Sequence, residues 1–408
     1  MTRALTARIL AVNTGSSSLK CALYRANAPD TAAFNVVVDR IGGMNARLRV
    51  TDSQGKALSE SSVDAPDFDA ALDSTLRILE QFDPGHRLAG VGHRLVHGGL
   101  LFDRPQLITQ AAMAALDDIA RLAPEHMPQA LVAVRFIAKR HPDVPQIACF
   151  DTAFHRAMPR VAQTIALPQR WRDEGFVRFG FHGLSYESAV SELRRADPAA
   201  ARGRTIVAHL GNGASMAAIR DGVAVDTTMG YTPTSGLVMG TRCGDIDPGV
   251  LIELSARHAV GPDQMNVLLN KQSGLLGVSG ISADMRDLLA AEPNDSRAAD
   301  AIELFCYRVR KYLGAFASVL GGIDTLIFTG GIGEKSATIR ERICAGQAFL
   351  GIALDAAANQ ANAPVISTTG ATVTIRVIRA DEEGVIVRHA LALLGAVDSP
   401  APEPAHID

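Results

Sequence analysis

The chain opens on a short apolar, β-prone run, Arg8 to Val12, which breaks at the polar segment Asn13 to Ser18 and resumes from Leu19 to Tyr24. That pattern predicts strand, turn, strand. It returns about two hundred residues later, where Thr205 to Leu210 breaks at Gly211-Asn212-Gly213, resumes as Ala214 to Ile219 and turns at Arg220-Asp221-Gly222 into Val223 to Val225. Two half-chains that begin alike point to a pair of related α/β lobes.

Between these hairpins, Ala111 to Leu122 reads as helix, and Gln146 to Phe150 as a buried strand that delivers Asp151 at its end, where ligand-facing residues gather in α/β sheets. Farther on, Ile302, Phe305, Val309, Leu313 and Phe316 recur at helical spacing within Ala301 to Leu320, and Gly321-Gly322 supplies the stop. Thr325 to Phe328 then predicts a buried strand, Gly330 to Gly333 a tight loop, and Glu334 onward a helix, an order suited to an anionic or nucleotide ligand. The last predicted strand, Thr372 to Ile378, runs into Asp381-Glu382-Glu383 and a final helix from about Gly384 to Leu394. The tail from Asp398, with three prolines, reads as loose.

At 408 residues the chain exceeds one ordinary hydrophobic core, which fits two lobes. Hydrophobic residues make up 47% and charged residues 20%, the profile of a globular chain and not of a disordered or fibrous one. Forty basic against forty-three acidic side chains leave a net charge of −3, so no basic field recruits nucleic acid or an anionic membrane. The five cysteines (Cys21, Cys149, Cys243, Cys306, Cys344) are odd in number and contain no C-x-x-C pair. This argues against a disulfide framework or a structural zinc site and favours a reducing, cytoplasmic setting. No apolar run has the length of a membrane span, and the first residues show no export-signal cleavage pattern, so the expectation is a chain neither exported nor embedded.

The three turns at Asn13–Ser18, Gly211–Gly213 and Gly330–Gly333 each follow an apolar strand. None fits G-x-x-x-x-G-K-[ST] or G-x-G-x-x-G, so neither a P-loop nor a dinucleotide fingerprint is present. Any one of them alone is an ordinary glycine turn. Around them stand Arg94 and His97 in GHRLVHGG, His126 in APEHMP, Asp151 in CFDTAFH, His182 in GFHG, and Arg242, Asp245 and Asp247 in MGTRCGDIDPG. No H-x-H or H-E-x-x-H spacing occurs, which disfavours a transition-metal hydrolase. Phosphoryl transfer uses this inventory: glycine-turn N–H groups hold phosphates, Mg²⁺ bridges them, and Arg, Lys and His neutralise the charge.

In order along the chain come AVNTGSSSLK, GHRLVHGG, CFDTAFHRAMP, GFHG, AHLGNGAS, DTTMGYTPTSGLVMGTRCGDIDPG, NKQSGLLGVSGISADMRDL, TGGIGE and ADEEG. By these blocks the chain resembles the acetate and propionate kinase family over roughly residues 8 to 395. The resemblance implies an α/β, actin-like (ribonuclease-H-like) fold of two lobes, each a β-β-β-α-β-α-β-α unit, with an interdomain active-site cleft. It implies domains at 1–151 plus 384–408 and at 152–383. It further implies a homodimer that transfers phosphate reversibly and in line from ATP to acetate, giving acetyl phosphate and ADP, with Mg²⁺ or in its stead Mn²⁺.

Carried over residue by residue, the resemblance implies Asn13 and Glu382 at Mg²⁺, with Lys20, Ser16 and Ser18 near the nucleotide phosphates. Arg94 would hold the substrate carboxylate, and Val96, Phe181 and Pro233 would wall the methyl pocket. Asp151 matches the active-site aspartate, and His182 and Arg242 match the pair that stabilises the transition state, with His126 beside them. The nucleotide-binding segments are His209-Leu210-Gly211-Asn212-Gly213, Asp284-Met285-Arg286 and Gly330-Gly331-Ile332-Gly333-Glu334.

A carboxylate acceptor is already ionised at pH 7, so no general base is needed and Asp151 is better cast as an orienting or Mg²⁺-water ligand. The barrier is anion meeting anion, roughly 4 kcal/mol for unit charges about 4 Å apart at an effective dielectric near 20. The chain departs from the family pattern at Glu125 and Met127, which flank His126, at Leu184 and Tyr186 in GFHGLSY, and at Gly384. A carboxylate at Glu125 must turn outward, pair or take a proton if the pocket is to accept an acid. Propionate or another short-chain acid remains an alternative acceptor, since one methylene changes discrimination by only about 1–3 kcal/mol. A non-catalytic nucleotide-binding regulator and a sugar kinase are the rivals on the same fold.

Overall fold

The computed structural model describes residues 7–85 and 87–397; the tail expected to be loose lies outside the described residues. The chain divides into two compact units, with boundaries between Ala153 and Phe154 and between Ala380 and Asp381.

The first unit carries β1 (Ala7–Thr14), β2 (Ser18–Arg25), β3 (Ala28–Asp39), β4 (Ala46–Asp52), β5 (Ala57–Val63), β6 (Arg87–Leu95), β7 (Gln106–Leu107) and β8 (Gln146–Phe150). They form one sheet in the order β5-β4-β3-β2-β1-β6-β8-β7. β1 to β5 are an antiparallel meander, whereas β1, β6 and β8 run parallel. The parallel centre is covered on both faces, and β8 is buried along its whole length as such strands require. One face packs Leu10, Val12, Leu19 and Val36 against Ala71, Leu72 and Leu79 of the helix Phe68–Phe82 and Ala133 and Ile137 of the helix Met127–Arg140. Asp67 starts the first of these helices, its carboxylate accepting the Ala70 N–H at 2.9 Å. The helix Glu382–Val397 packs on β1 and β6, close enough that a Cβ on Gly92 would lie 2.3 Å from Ile386 Cγ2.

The second unit holds β9 (Arg204–Leu210), β10 (Ala214–Arg220), β11 (Val223–Thr227), β12 (Thr325–Thr329) and β13 (Thr374–Val377), ordered β11-β10-β9-β12-β13. β9, β10 and β11 are antiparallel, and β9, β12 and β13 parallel. This is the order and sense of β3-β2-β1-β6-β8, so the likeness between the two hairpins at residues 8 and 205 extends to a repeated topology.

Among the elements whose bounds differ from the sequence reading, three have a local cause. The helix expected from Ala301 spans Ser296–Leu320, because Asp295 caps it by accepting the Arg297 N–H at 2.9 Å. Gly330–Gly333 is not a loop but the first turn of the helix Gly330–Lys335. Gly330 enters it at φ 76°, a left-handed conformation that lets its backbone lie against Leu210. The last helix starts at Glu382, which places both glutamates in its first turn, where the helix dipole favours negative charge.

Candidate active site

In the first unit the expected residues converge at the carboxyl ends of β1, β6 and β8. Asn13 ends β1, Arg94 lies near the end of β6, and Asp151 follows β8 with its N–H donating to the Leu95 carbonyl at 3.0 Å. Arg94 donates from Nε to both Asp151 oxygens at 3.1 Å and from Nη2 to Asp151 Oδ2 at 2.6 Å, while Nη1 donates to Asn13 Oδ1 at 3.0 Å. A guanidinium has five donors; these bonds leave one N–H on each terminal nitrogen, and Nη1 also lies 3.8 Å from Glu382 Oε2. Burial works against its charge, but Asp151 and then Glu382 outweigh it and hold the Arg94 pKa above the ordinary arginine value.

Asn13 donates from Nδ2 to Glu382 Oε2 and to Glu383 Oε1, each at 3.2 Å. Burial, and after it the Glu382 charge, push the Glu383 carboxyl up, while Lys20 and the Asn13 hydrogen bond pull it back. Lys20 is exposed and pairs in register with Asn13 across the hairpin whose turn carries exposed Ser16 and half-buried Ser18. Val96 is buried. His126 precedes the helix Met127–Arg140 and is half-buried, as is Glu125, and Met127 is wholly buried.

In the second unit His182 holds a left-handed backbone (φ 59°) at the start of the helix Gly183–Ala196. Its ring stacks on that of His209, centroids 4.3 Å apart. His182 Nδ1 lies 2.9 Å from Ser215 Oγ, which also meets the Tyr186 hydroxyl, and His209 Nδ1 lies 2.7 Å from Ser185 Oγ. A methyl group on Gly213 would sit 3.3 Å from His182 Nε2 and 3.5 Å from Arg242 Nη2, so both nitrogens flank one spot at the glycine turn. Arg242 is steadied by donating from Nη1 to the Pro233 carbonyl at 2.8 Å. Phe181 is buried, its carbonyl 3.0 Å from His155 Nε2.

A cavity of about 710 Å³ in this unit is lined by Gly211, Asn212, Asp284, Met285, Arg286, Gly331 and Ile332, members of all three expected nucleotide segments. Ala283, Leu289, Lys335 and Ser336 complete its wall and were not expected from the sequence. The wall is tied to the interior by Arg340, fully buried, which donates from Nη1 to the Gly333 and Glu334 carbonyls at 2.8 and 3.0 Å. Glu334 turns back on its own helix: Oε1 accepts the N–H of Gly330 at 3.0 Å and of Ala380 at 3.1 Å.

Some flagged residues serve the scaffold. His97 is buried, its Nδ1 accepting the Gly99 N–H at 2.8 Å. Asp245 accepts from the Gly236 N–H and the Tyr312 hydroxyl, and Asp247 caps the helix Pro248–His258. In the first unit Arg94 thus stands among Asp151, Asn13 and Glu382, and in the second His182 and Arg242 stand at the Gly213 turn.

The family described as the acetokinase family matches residues 8–388. An acetate kinase of Methylocella silvestris is 44% identical over 396 residues, spanning 95% of this chain and 98% of the relative. Among solved structures, Porphyromonas gingivalis acetate kinase aligns with a TM-score of 0.85 at 37% identity, covering 95% of this chain and 100% of that one. A propionate kinase from Francisella tularensis aligns with a TM-score of 0.88 at 33% identity, covering 95% and 99%.

Proposed function

The chain belongs to the acetokinase family, and from that premise we propose that it transfers the γ-phosphoryl group of ATP to acetate, reversibly and in line, giving acetyl phosphate and ADP. The observation that carries the reading is the Arg94 cluster: a guanidinium held in place by Asp151 and Asn13 that still offers one N–H on each terminal nitrogen to a carboxylate.

Arg94 binds and orients the acid, with Val96, Phe181 and Pro233 around its methyl group. The acid needs no base, so Asp151 works by fixing the guanidinium. His182 and Arg242 donate to the equatorial phosphoryl oxygens as charge spreads over them, and His126 assists. His209–Gly213, Asp284–Arg286 and Gly330–Glu334 hold the nucleotide, and Lys20, Ser16 and Ser18 its phosphates.

Asn13, Glu382 and the adjacent Glu383 are hard-oxygen groups whose crowded negative charge a divalent cation would relieve. Among the described residues no cluster of three or more His, Cys, Asp or Glu could hold a metal alone. The oxygen donors of Asn13 and Glu382 fit Mg²⁺, which binds through one or two carboxylates plus substrate phosphates. Asn13 and Glu382 would hold it, or Mn²⁺ in its place, and it would neutralise phosphate charge. A homodimer and a cytoplasmic setting belong to the same reading.

The second reading is a propionate kinase, favoured by the Francisella relative. Trapping acyl phosphate as hydroxamate, with ATP and Mg²⁺ across acetate, propionate, butyrate and glycolate, tests both. Acetate as the best acceptor supports the first, propionate the second, and no product with any acid while ATP still binds would overturn both.

A further inference from the structure

Two stacked imidazoles, His182 and His209, each turn Nδ1 toward a buried serine hydroxyl. Ser185 Oγ makes its hydrogen bond to His209 Nδ1 at 2.7 Å. A buried hydroxyl that only accepted there would leave its own hydrogen unbonded, so Ser185 donates and His209 Nδ1 accepts. Ser215 Oγ stands between the Tyr186 hydroxyl and His182 Nδ1, and has one hydrogen to give. The phenol is the more acidic hydroxyl and hence the better donor. Tyr186 therefore donates to Ser215, and Ser215 donates to His182 Nδ1. Both imidazoles are then neutral with the hydrogen on Nε2, which spares two stacked rings a mutual charge. For His182 the Nε2 atom is the one that flanks the Gly213 turn together with Arg242 Nη2. An imidazole without a hydrogen at that atom would present a lone pair to an anion.

Resting on the kinase reading above, we propose that Tyr186 is a positioning residue for phosphoryl transfer: through Ser215 it holds His182 as the Nε2–H tautomer, a hydrogen-bond donor to the transferring phosphoryl group. The Tyr186 ring is wholly buried, 5.9 Å from Phe154 and 5.4 Å from His155 between centroids, so Tyr186→Phe removes the hydroxyl and keeps the packing.

The test is a long-range proton–nitrogen correlation of the histidine rings in the full-length, ¹⁵N-labelled protein, with His182→Gln assigning the His182 signals. Wild type is expected to show His182 and His209 as neutral Nε2–H tautomers. In Tyr186→Phe the His182 ring should drift toward a tautomer mixture, with kcat lower by about tenfold, the worth of one buried hydrogen bond, and KM for acid and ATP within about twofold. Ser215→Ala should shift His182 in the same way, and Ser185→Ala should shift His209 alone. A wild-type His182 carrying its hydrogen on Nδ1, or a Tyr186→Phe protein with unchanged tautomer or unchanged kcat, would overturn the proposal. A wild-type protein that makes no acyl phosphate yet shows the Nε2–H tautomers would instead sink the kinase reading and leave the hydroxyl chain standing.

Discussion

Arg94 and Asp151, 57 residues apart in the chain, meet at the ends of adjacent parallel strands with Nη2 2.6 Å from Oδ2, and their bonds leave one N–H on each terminal nitrogen of the guanidinium unused by Asp151 and Asn13. If that arrangement serves to bind the acid, Arg94→Ala raises KM for acetate by at least about tenfold and changes kcat less, as loss of a binding contact common to ground and transition states requires. Steady-state kinetics with acetate varied at saturating ATP checks it.

Arg242 is held by the Pro233 carbonyl, and its other terminal nitrogen and His182 Nε2 both flank the Gly213 turn. Arg242→Ala is expected to lower kcat by about a hundredfold or more while KM for acetate moves little, because its contact strengthens as charge develops. Equal effects on kcat and KM in the Arg94 and Arg242 variants would dissolve the division of roles.

His93 and His155 are buried, and burial lowers each pKa to about 4, against an ordinary value of 6.5. Between those values the unfolded chain binds a proton that the folded chain refuses, so stability falls as pH drops through the window. Each histidine contributes about 1 kcal/mol per pH unit there. His93→Gln, which keeps an amide for Gln146, should flatten the loss seen by denaturant titration from pH 6.5 to 4.5; an unchanged slope would contradict the assignment.

A Cβ at Gly240 would lie 2.0 Å from Asn212 Oδ1 and 3.1 Å from the Ala283 carbonyl, and both those residues line the 710 Å³ cavity. Gly240→Ala is therefore predicted to raise KM for ATP by about tenfold and to leave KM for acetate unchanged. Nucleotide titration by calorimetry gives the same answer without turnover.

Arg340 also donates to Asn359 Oδ1 at 2.7 Å and to Asn362 Oδ1 at 2.6 Å. Arg340→Met leaves these oxygens and the Gly333 and Glu334 carbonyls without it, at an expected cost of about 3 kcal/mol by denaturant unfolding. A loss below about 1 kcal/mol would mean that the glycine helix is held by other contacts.

The hairpins at Asn13 and Gly211 were legible because an apolar, β-prone run stops at residues that turns favour, and the repeated strand order shows that both open equivalent sheets. Asp151 was legible because an apolar strand ended on it. The helix at Gly330 was not: three glycines in four residues lower helix propensity, and only the close packing on Leu210 and the Arg340 bonds explain why the turn is helical. Ser215, Lys335 and Arg340 carry no local signal, since each acts on a neighbour brought near by the fold, and Tyr186 stood out only as a departure from the family pattern. Ser215 is 33 residues from His182, and their relation exists only once β10 lies beside the helix that His182 starts.

The central claim is that a carboxylate oxygen attacks phosphorus. Incubation with doubly ¹⁸O-labelled acetate, ATP and Mg²⁺, followed by hydroxylamine, reads this directly, because hydroxylamine attacks the acyl carbon and releases the bridging oxygen with the phosphate. The account predicts one ¹⁸O atom in the released phosphate for each hydroxamate formed; hydroxamate accompanied by unlabelled phosphate would contradict it.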